Sequence, residues 1–302
     1  MIVRDKPGIV QLLFAVRGSV LPTIAPHLAV VIAVATGAVL IDHRFYPLNY
    51  ANGTPFAVFG AALSLFLGFR NNAAYDRWWE ARRLWGGLLA DARTLARELE
   101  MFLHDAALRQ HLLRLCLAFL HLHRAQLRRL KDDPTALAAA KAAANGADPT
   151  QTPNSPCAAL NDMTRLLATA HADGKIDGFG ARAISTRMAS IALAQAACER
   201  IAGTPLPYVY SLLIFRTSWL YCLLLPLGLI DSTGWLTPLF AGIVAYTFFG
   251  LAEVTEELAH PFGLTANALP LDAICRAAEI SLAPHLGEPA PPPLVPHNFR
   301  LD

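Results

Sequence analysis

The chain has 302 residues, of which 54% are hydrophobic and only 16% charged, well below the about 25% charged residues of an ordinary soluble domain. That balance argues against a wholly water-soluble protein. A formal net charge of +2, with arginines scattered among acids and apolar residues, argues against a phosphate-tracking nucleic-acid binder. Cys116, Cys157, Cys198, Cys222 and Cys275 stand apart without a C-x-x-C pair, so neither a disulfide framework nor a zinc site is expected.

The N-terminus, MIVRDKPGIVQLLFAVRGSV, combines basic residues with an apolar run, but Arg17 interrupts that run and no small-residue cleavage pattern closes it. It reads as a retained, interfacial amphipathic helix. A first apolar segment, Ile24 to Ile41, contains no charge and is long enough to cross a bilayer. A second, Thr54 to Phe69, is short for that purpose unless the helix continues through Asn71, Asn72 and Ala73. The connection between them is rich in His43, Pro47, Asn49, Asn52 and Gly53.

From about residue 76 to 200 the apolar pattern is helical, with almost no strand signal. The run Leu112 to Leu122 is too short to span a bilayer and is flanked and broken by Arg109, Arg114, His121, His123 and Arg124, so it reads as a buried helix of a water-soluble bundle. Residues 131–157 are rich in Ala, Pro, Asn and Thr and read as a flexible insertion with one short Ala-rich helix. A third apolar segment, Tyr208 to Ile230, carries Arg216 and Pro226, and a fourth, Trp235 to Ala252, follows after only four residues. The tail from Pro284, with its PAPPPLVP run, reads as extended or disordered.

The chain therefore divides into a first membrane hairpin (1–75), a helical cytoplasmic region (76–207), a second hairpin (208–252) and a cytoplasmic C-terminal segment (253–302). Lys and Arg favour the cytoplasmic side. Arg4, Lys6 and Arg17 precede the first segment and Arg70, Arg77, Arg82 and Arg83 follow the second, whereas their connection holds only Arg44. Both termini are thus expected in the cytoplasm. The fold class is all-α, with four membrane helices and a helical cytoplasmic part.

Residues four apart share a helical face, and the second segment has two such stripes. Gly60, Ser64 and Gly68 form a small-residue stripe suited to close helix packing, within a subunit or between subunits. Ala61, Leu65 and Phe69 form an apolar stripe that could be core, lipid-facing, or the lining of a narrow pore. Arg70, Asn71 and Asn72 come next, then a Trp- and Arg-rich stretch in which Glu80 and Arg83 are spaced to pair and Arg77 could reach an acid on another helix.

Arg216, inside the third segment, either pairs with an acid or lines a water path. Gly203 to Pro207 form a rigid turn before that segment, and Glu253, Glu256 and Glu257 end the fourth, able to pair with arginines or ring a vestibule. His104, His111, His121 and His123 show no paired-ligand spacing, so no metal site is expected. No catalytic triad, P-loop or dinucleotide fingerprint is present, so no enzyme is expected.

Several ordered motifs resemble the bestrophin family, above all its bacterial branch: LGF followed by Arg77 and Trp78, WEARRLWG at 79–86, CERIAGTPLPYVYSLL at 198–213, and EELAHPFGLTANALPLD at 256–272. The resemblance spans about residues 60 to 280. It implies a homopentamer in the plasma membrane around one central ion pathway, with the bilayer, its own copies and monovalent ions as partners. It further implies a neck at Ala61, Leu65 and Phe69 that acts as a hydrophobic gate, with Arg70, Asn71 and Asn72 at its exit. A cytoplasmic aperture just before the third span falls on Leu206, with Thr204 as the alternative.

Two departures from the family pattern stand out. Where animal bestrophins place a run of calcium-binding acids after their PFG sequence, this chain has Leu264, Thr265, Ala266, Asn267 and Ala268, and carboxylates are what make calcium bind tightly. No calcium clasp and no calcium gating are expected. Ala61 is smaller than the usual neck residue, which widens the outer end. The expected function is a monovalent ion channel, with chloride conduction as the family default. A sodium-selective channel of the same fold, a transporter, and a non-conducting membrane scaffold or sensor remain as alternatives.

Overall fold

A computed structural model describes residues 1–3, 8–13, 15, 18–45, 53–143 and 154–301. Ten α-helices occur among them: α1 (Ile9–Leu13), α2 (Leu21–Arg44), α3 (Thr54–Phe102), α4 (Ala106–Leu127), α5 (Pro134–Ala143), α6 (Ser155–Ala172), α7 (Gly178–Gly203), α8 (Tyr208–Thr233), α9 (Thr237–Ala259) and α10 (Leu271–Leu286). The only β pairing among these residues is two isolated antiparallel bridges. The chain divides into two units.

One unit comprises residues 4–78 and 205–260. Here α2 lies against α8 and α9 around a core that includes Ile24, Val31, Leu67, Tyr221, Cys222 and Phe249. Helices α8 and α9 are joined by a single 3-10 turn, Gly234–Leu236, and Gly234 takes the positive φ of 51° that glycine tolerates best. Pro226 sits inside α8 without ending it, as apolar helices with close neighbours allow. Pro205 and Pro207, which fix φ and lack an N–H, hold the chain out of helix until Tyr208.

Helix α2 and the Tyr208–Ala259 stretch are long and apolar enough to cross a membrane, and only 22% of the α2 window is buried. The apolar part of α3 does not reach that standard by itself, because Arg70 follows sixteen residues after Thr54. One boundary differs from the sequence reading: α9 runs on through Glu253, Glu256 and Glu257 to Ala259. The N-terminal amphipathic segment is described only in part, as α1, and Arg4, Lys6 and Arg17 lie outside the described residues.

The other unit comprises residues 1–3, 79–204 and 261–302. Its centre is α4, in contact with α5, α6, α7 and α10. The run Leu112 to Leu122 forms the buried middle of α4, with Leu112, Leu113 and Phe119 at 0% exposure. The helix starts where Asp105 accepts the Leu108 N–H, a side-chain cap worth about 1 kcal/mol. Buried polar groups accompany this core. Arg124 meets Asp133 at 2.5 Å and Asp272 at 2.6 Å, and His123 is stacked between the rings of Trp85 and Phe119.

The 131–157 insertion holds the expected short helix, α5, and turns helical again at Ser155, where Asn154 caps α6; residues 144–153 lie outside the described residues. The C-terminal tail departs from expectation. Helix α10 passes through Pro284 and stops at Gly287, whose φ of 72° closes it. The end of the tail is then held in place: Val3 donates to the Phe299 carbonyl at 2.7 Å, Leu301 donates to the Met1 carbonyl at 2.9 Å, and the N-terminal ammonium donates to the Leu301 carbonyl.

Candidate functional site

Within residues 54–78, α3 has two contrasting faces. Leu63, Leu67, Arg70 and Ala74 are buried, whereas Ala61, Leu65, Phe69, Asn72 and Asp76 are exposed. At about 100° per residue these four buried residues fall in an arc of roughly 60° and these five exposed residues in an arc of roughly 80° on the opposite side, at the middle of a wider exposed surface that also takes in Ala62, Ser64, Phe66, Ala73 and Tyr75. Leu65 is 58% and Phe69 61% exposed. The three residues singled out for the neck therefore share one unpartnered apolar stripe. Exposure of single large apolar residues is ordinary, but a continuous stripe marks a contact or binding surface.

The small-residue stripe is not a unit. A Cβ added at Gly60 would lie 2.5 Å from the Tyr221 hydroxyl, so this glycine lets α8 approach within the same subunit. Ser64 is exposed and donates back to the Gly60 carbonyl at 2.8 Å, and Gly68 has nothing within 4 Å of an added Cβ.

The three residues expected at the neck exit separate. Arg70 is 8% exposed and donates through Nη2 to Glu256 at 2.7 Å and to Ser211 at 2.9 Å. A guanidinium in that position cannot meet a passing ion, because one residue past Phe69 the helix has turned it by about 100° into the protein. Asn71 accepts from the Thr255 hydroxyl at 3.3 Å. Of the three, only Asn72 is on the exposed stripe.

The ion-pair candidates also redistribute. Arg77 donates from Nε to the Ala259 carbonyl at the end of α9, at 2.8 Å; lone carbonyls at a helix C-terminus attract such a cation. Glu80 accepts from Arg200 at 2.7 Å instead of pairing with Arg83. Glu256 is the partner of Arg70, and Glu257 is half-buried on α9. Arg216 is exposed on α8 and forms no ion pair among the described residues.

The two residues assigned to an aperture lie in the turn between α7 and α8, Leu206 half-buried and Thr204 exposed. Leu206 lines a cavity of about 310 Å³ with Phe66, Phe69, Arg70, Ala73, Pro207 and Tyr210, beside the lower end of the stripe. Thr204 turns its hydroxyl back to the Arg200 carbonyl at 2.6 Å and ends α7.

In the segment after α9, Leu269 donates to the Pro261 carbonyl at 2.8 Å and Arg300 donates to the Leu264 carbonyl at 2.9 Å. No group of three or more potential metal-ligating side chains occurs among the described residues.

The family profile described as bacterial/fungal bestrophin protein matches residues 1–284. The chain belongs to the bestrophin family. It is 47% identical to a voltage-dependent anion channel-forming protein of Mesorhizobium japonicum, over 98% of this chain and 95% of that one. It is 36% identical to the voltage-dependent anion channel-forming protein YneE of Escherichia coli, over 93% of each. A bacterial bestrophin homologue from Klebsiella pneumoniae, known from a crystal structure, superposes with a TM-score of 0.81 at 29% identity, over 88% of this chain and 99% of that one. The family expected from WEARRLWG and GTPLPYVY is thus the family found, and it is not an enzyme family.

Proposed function

We propose that this chain is one subunit of a homopentameric bestrophin channel of the plasma membrane, conducting monovalent anions through a central pore. The exposed Ala61, Leu65 and Phe69 stripe, opposite a buried face on the same helix, carries this reading. Five such stripes facing one axis give an apolar neck. An ion passes it only where the neck is wide enough to stay wet or where nearby charges offset its lost hydration. The names carried by the Mesorhizobium and Escherichia relatives support anions as the conducted species.

Four spans per subunit follow if α3 crosses the membrane together with α2, α8 and α9. Continuing helically from Thr54 to Ala74, it reaches about 31 Å, the thickness of a hydrocarbon core, and Arg70 is no obstacle because its charge is buried and paired. Both termini are assigned to the cytoplasm, a reading supported by the hydrogen bonds that tie Met1 to Leu301. The gate consists of Leu65 and Phe69, with Asn72 at its exit, and a second, cytoplasmic constriction falls on Leu206, with Thr204 as the alternative, in the rigid turn before α8. Gating does not require calcium, since residues 264–268 offer no carboxylate.

The test is purification, electron microscopy and recording in planar bilayers. Fivefold particles with an axial hole and a reversal potential that follows chloride in asymmetric sodium chloride are expected, unaffected by calcium chelation. Particles without a central hole, or bilayers without protein-dependent current, would overturn the channel reading.

A further inference from the structure

The segment of α3 between Phe69 and Trp78 carries three charged residues, Arg70, Asp76 and Arg77. Their fates differ. Arg70 is buried against Glu256 and Ser211, and Arg77 is directed at the Ala259 carbonyl. Asp76 alone is exposed and makes no hydrogen bond or ion pair with the described residues. It also lies within the roughly 80° arc that holds Ala61, Leu65, Phe69 and Asn72. The helix has thus withdrawn both cations from this face and left the acid on it. That is unexpected beside the neck of an anion pathway.

We infer that Asp76 is a charge-selectivity residue, forming a ring of carboxylates at the cytoplasmic mouth of the neck. This rests on the reading of the α3 stripe as pore lining. Seven residues past Phe69, Asp76 lies about 10 Å further along the axis, close to the Debye length at 0.1 M salt of about 10 Å. Several like charges around one opening raise the local concentration of cations and lower that of anions. Asp76 therefore sets how far cations compete with anions for the neck, while Leu65 and Phe69 set whether either passes.

Recordings of full-length protein in planar bilayers test this. Asp76→Asn should raise the anion-to-cation permeability ratio several-fold at about 0.01 M salt, where the Debye length is about 30 Å, and change it little at about 1 M, where it is about 3 Å. Asp76→Glu should keep the wild-type ratio. In Asp76→Cys, an anionic and a cationic thiol reagent should move the reversal potential in opposite directions within a single recording, independently of folding yield. Wild type treated likewise is the control, since four native thiols are buried and only Cys157 is half-buried.

An unchanged reversal potential for Asp76→Asn at both salt concentrations, in channels that conduct, would overturn this assignment alone. So would a Glu variant shifted as far as the Asn variant, or equal responses to the two reagents, the results expected if Asp76 pairs with a neighbouring copy. Absence of any wild-type current would overturn the channel reading and this one with it.

Discussion

The two units of this chain treat burial in opposite ways. In the unit of α4, even ionisable side chains are enclosed: Arg124 is 3% and His123 0% exposed. In the unit of α2, α8, α9 and the first half of α3, large apolar side chains such as Leu65, Phe69, Phe215 and Leu239 lie open. The first unit closes the core around α4 with its own chain. The second is finished by something else, lipid or further copies of itself, because apolar surface of this extent is costly in water. The contrast is not complete, since Phe179 and Leu193 of α7 are strongly exposed in the α4 unit.

The comparison predicts that changes in the α4 core move stability and changes on the α3 stripe move conduction. The largest stability effect is expected for Arg124→Ala, which strands the buried Asp133 without its cation while Asp272 keeps Arg128 at 2.5 Å; removal of one buried partner costs about 3–5 kcal/mol, readable by thermal unfolding in detergent. His123 comes next. Burial pushes its pKa down from 6.5 to about 3, and neither ring nitrogen has a hydrogen-bond partner among the described residues. The unfolded chain takes up this proton near pH 6.5 while the folded chain resists it, so stability is full above pH 6.5 and falls as the pH drops. At about 1.4 kcal/mol per unit, about 2 kcal/mol is lost by pH 5, and His123→Phe should flatten that slope.

Arg70→Ala should cost less, about 1–3 kcal/mol, because Glu256 is half open to solvent and can be rehydrated. Arg200→Ala, which removes an exposed partner of Glu80, should cost at most about 1 kcal/mol. At the far end of the comparison, Leu65→Ala and Phe69→Ala should shift the melting temperature least and raise single-channel conductance. A large loss of stability with unaltered conductance would place these side chains in a packed core and dissolve the contrast.

Much of the fold was legible because long apolar runs are hard to place in more than one way. Ile24 to Ile41 and Tyr208 to Ala252 became α2, α8 and α9, and the arginine-flanked Leu112 to Leu122 became the centre of a bundle. Boundaries were less legible. Local composition set the tail at Pro284, but α10 persists to Leu286 before Gly287 stops it.

At the candidate site, spacing of four correctly grouped Ala61, Leu65 and Phe69, since helical geometry alone brings them to one face. Adjacency misled for Arg70, which follows Phe69 in sequence yet is turned away from it, and helix rotation could have revealed this. Adjacency also misled for Glu80, whose partner Arg200 lies 120 residues away. No local pattern announces such a pairing. Asp76 is obscured in the sequence by the arginines on either side of it, although the same rotation places it on the stripe.

The central claim is that one face of α3 is wetted by the conducted ions and the other is not. Leu65 and Leu67 are two residues apart on these opposite faces, 58% and 0% exposed. A charged thiol reagent applied to open channels carrying Leu65→Cys or Leu67→Cys tests the claim directly. The account predicts a rapid change in current for Leu65→Cys and none for Leu67→Cys; modification of Leu67→Cys alone, or equal rates at both positions, would contradict it.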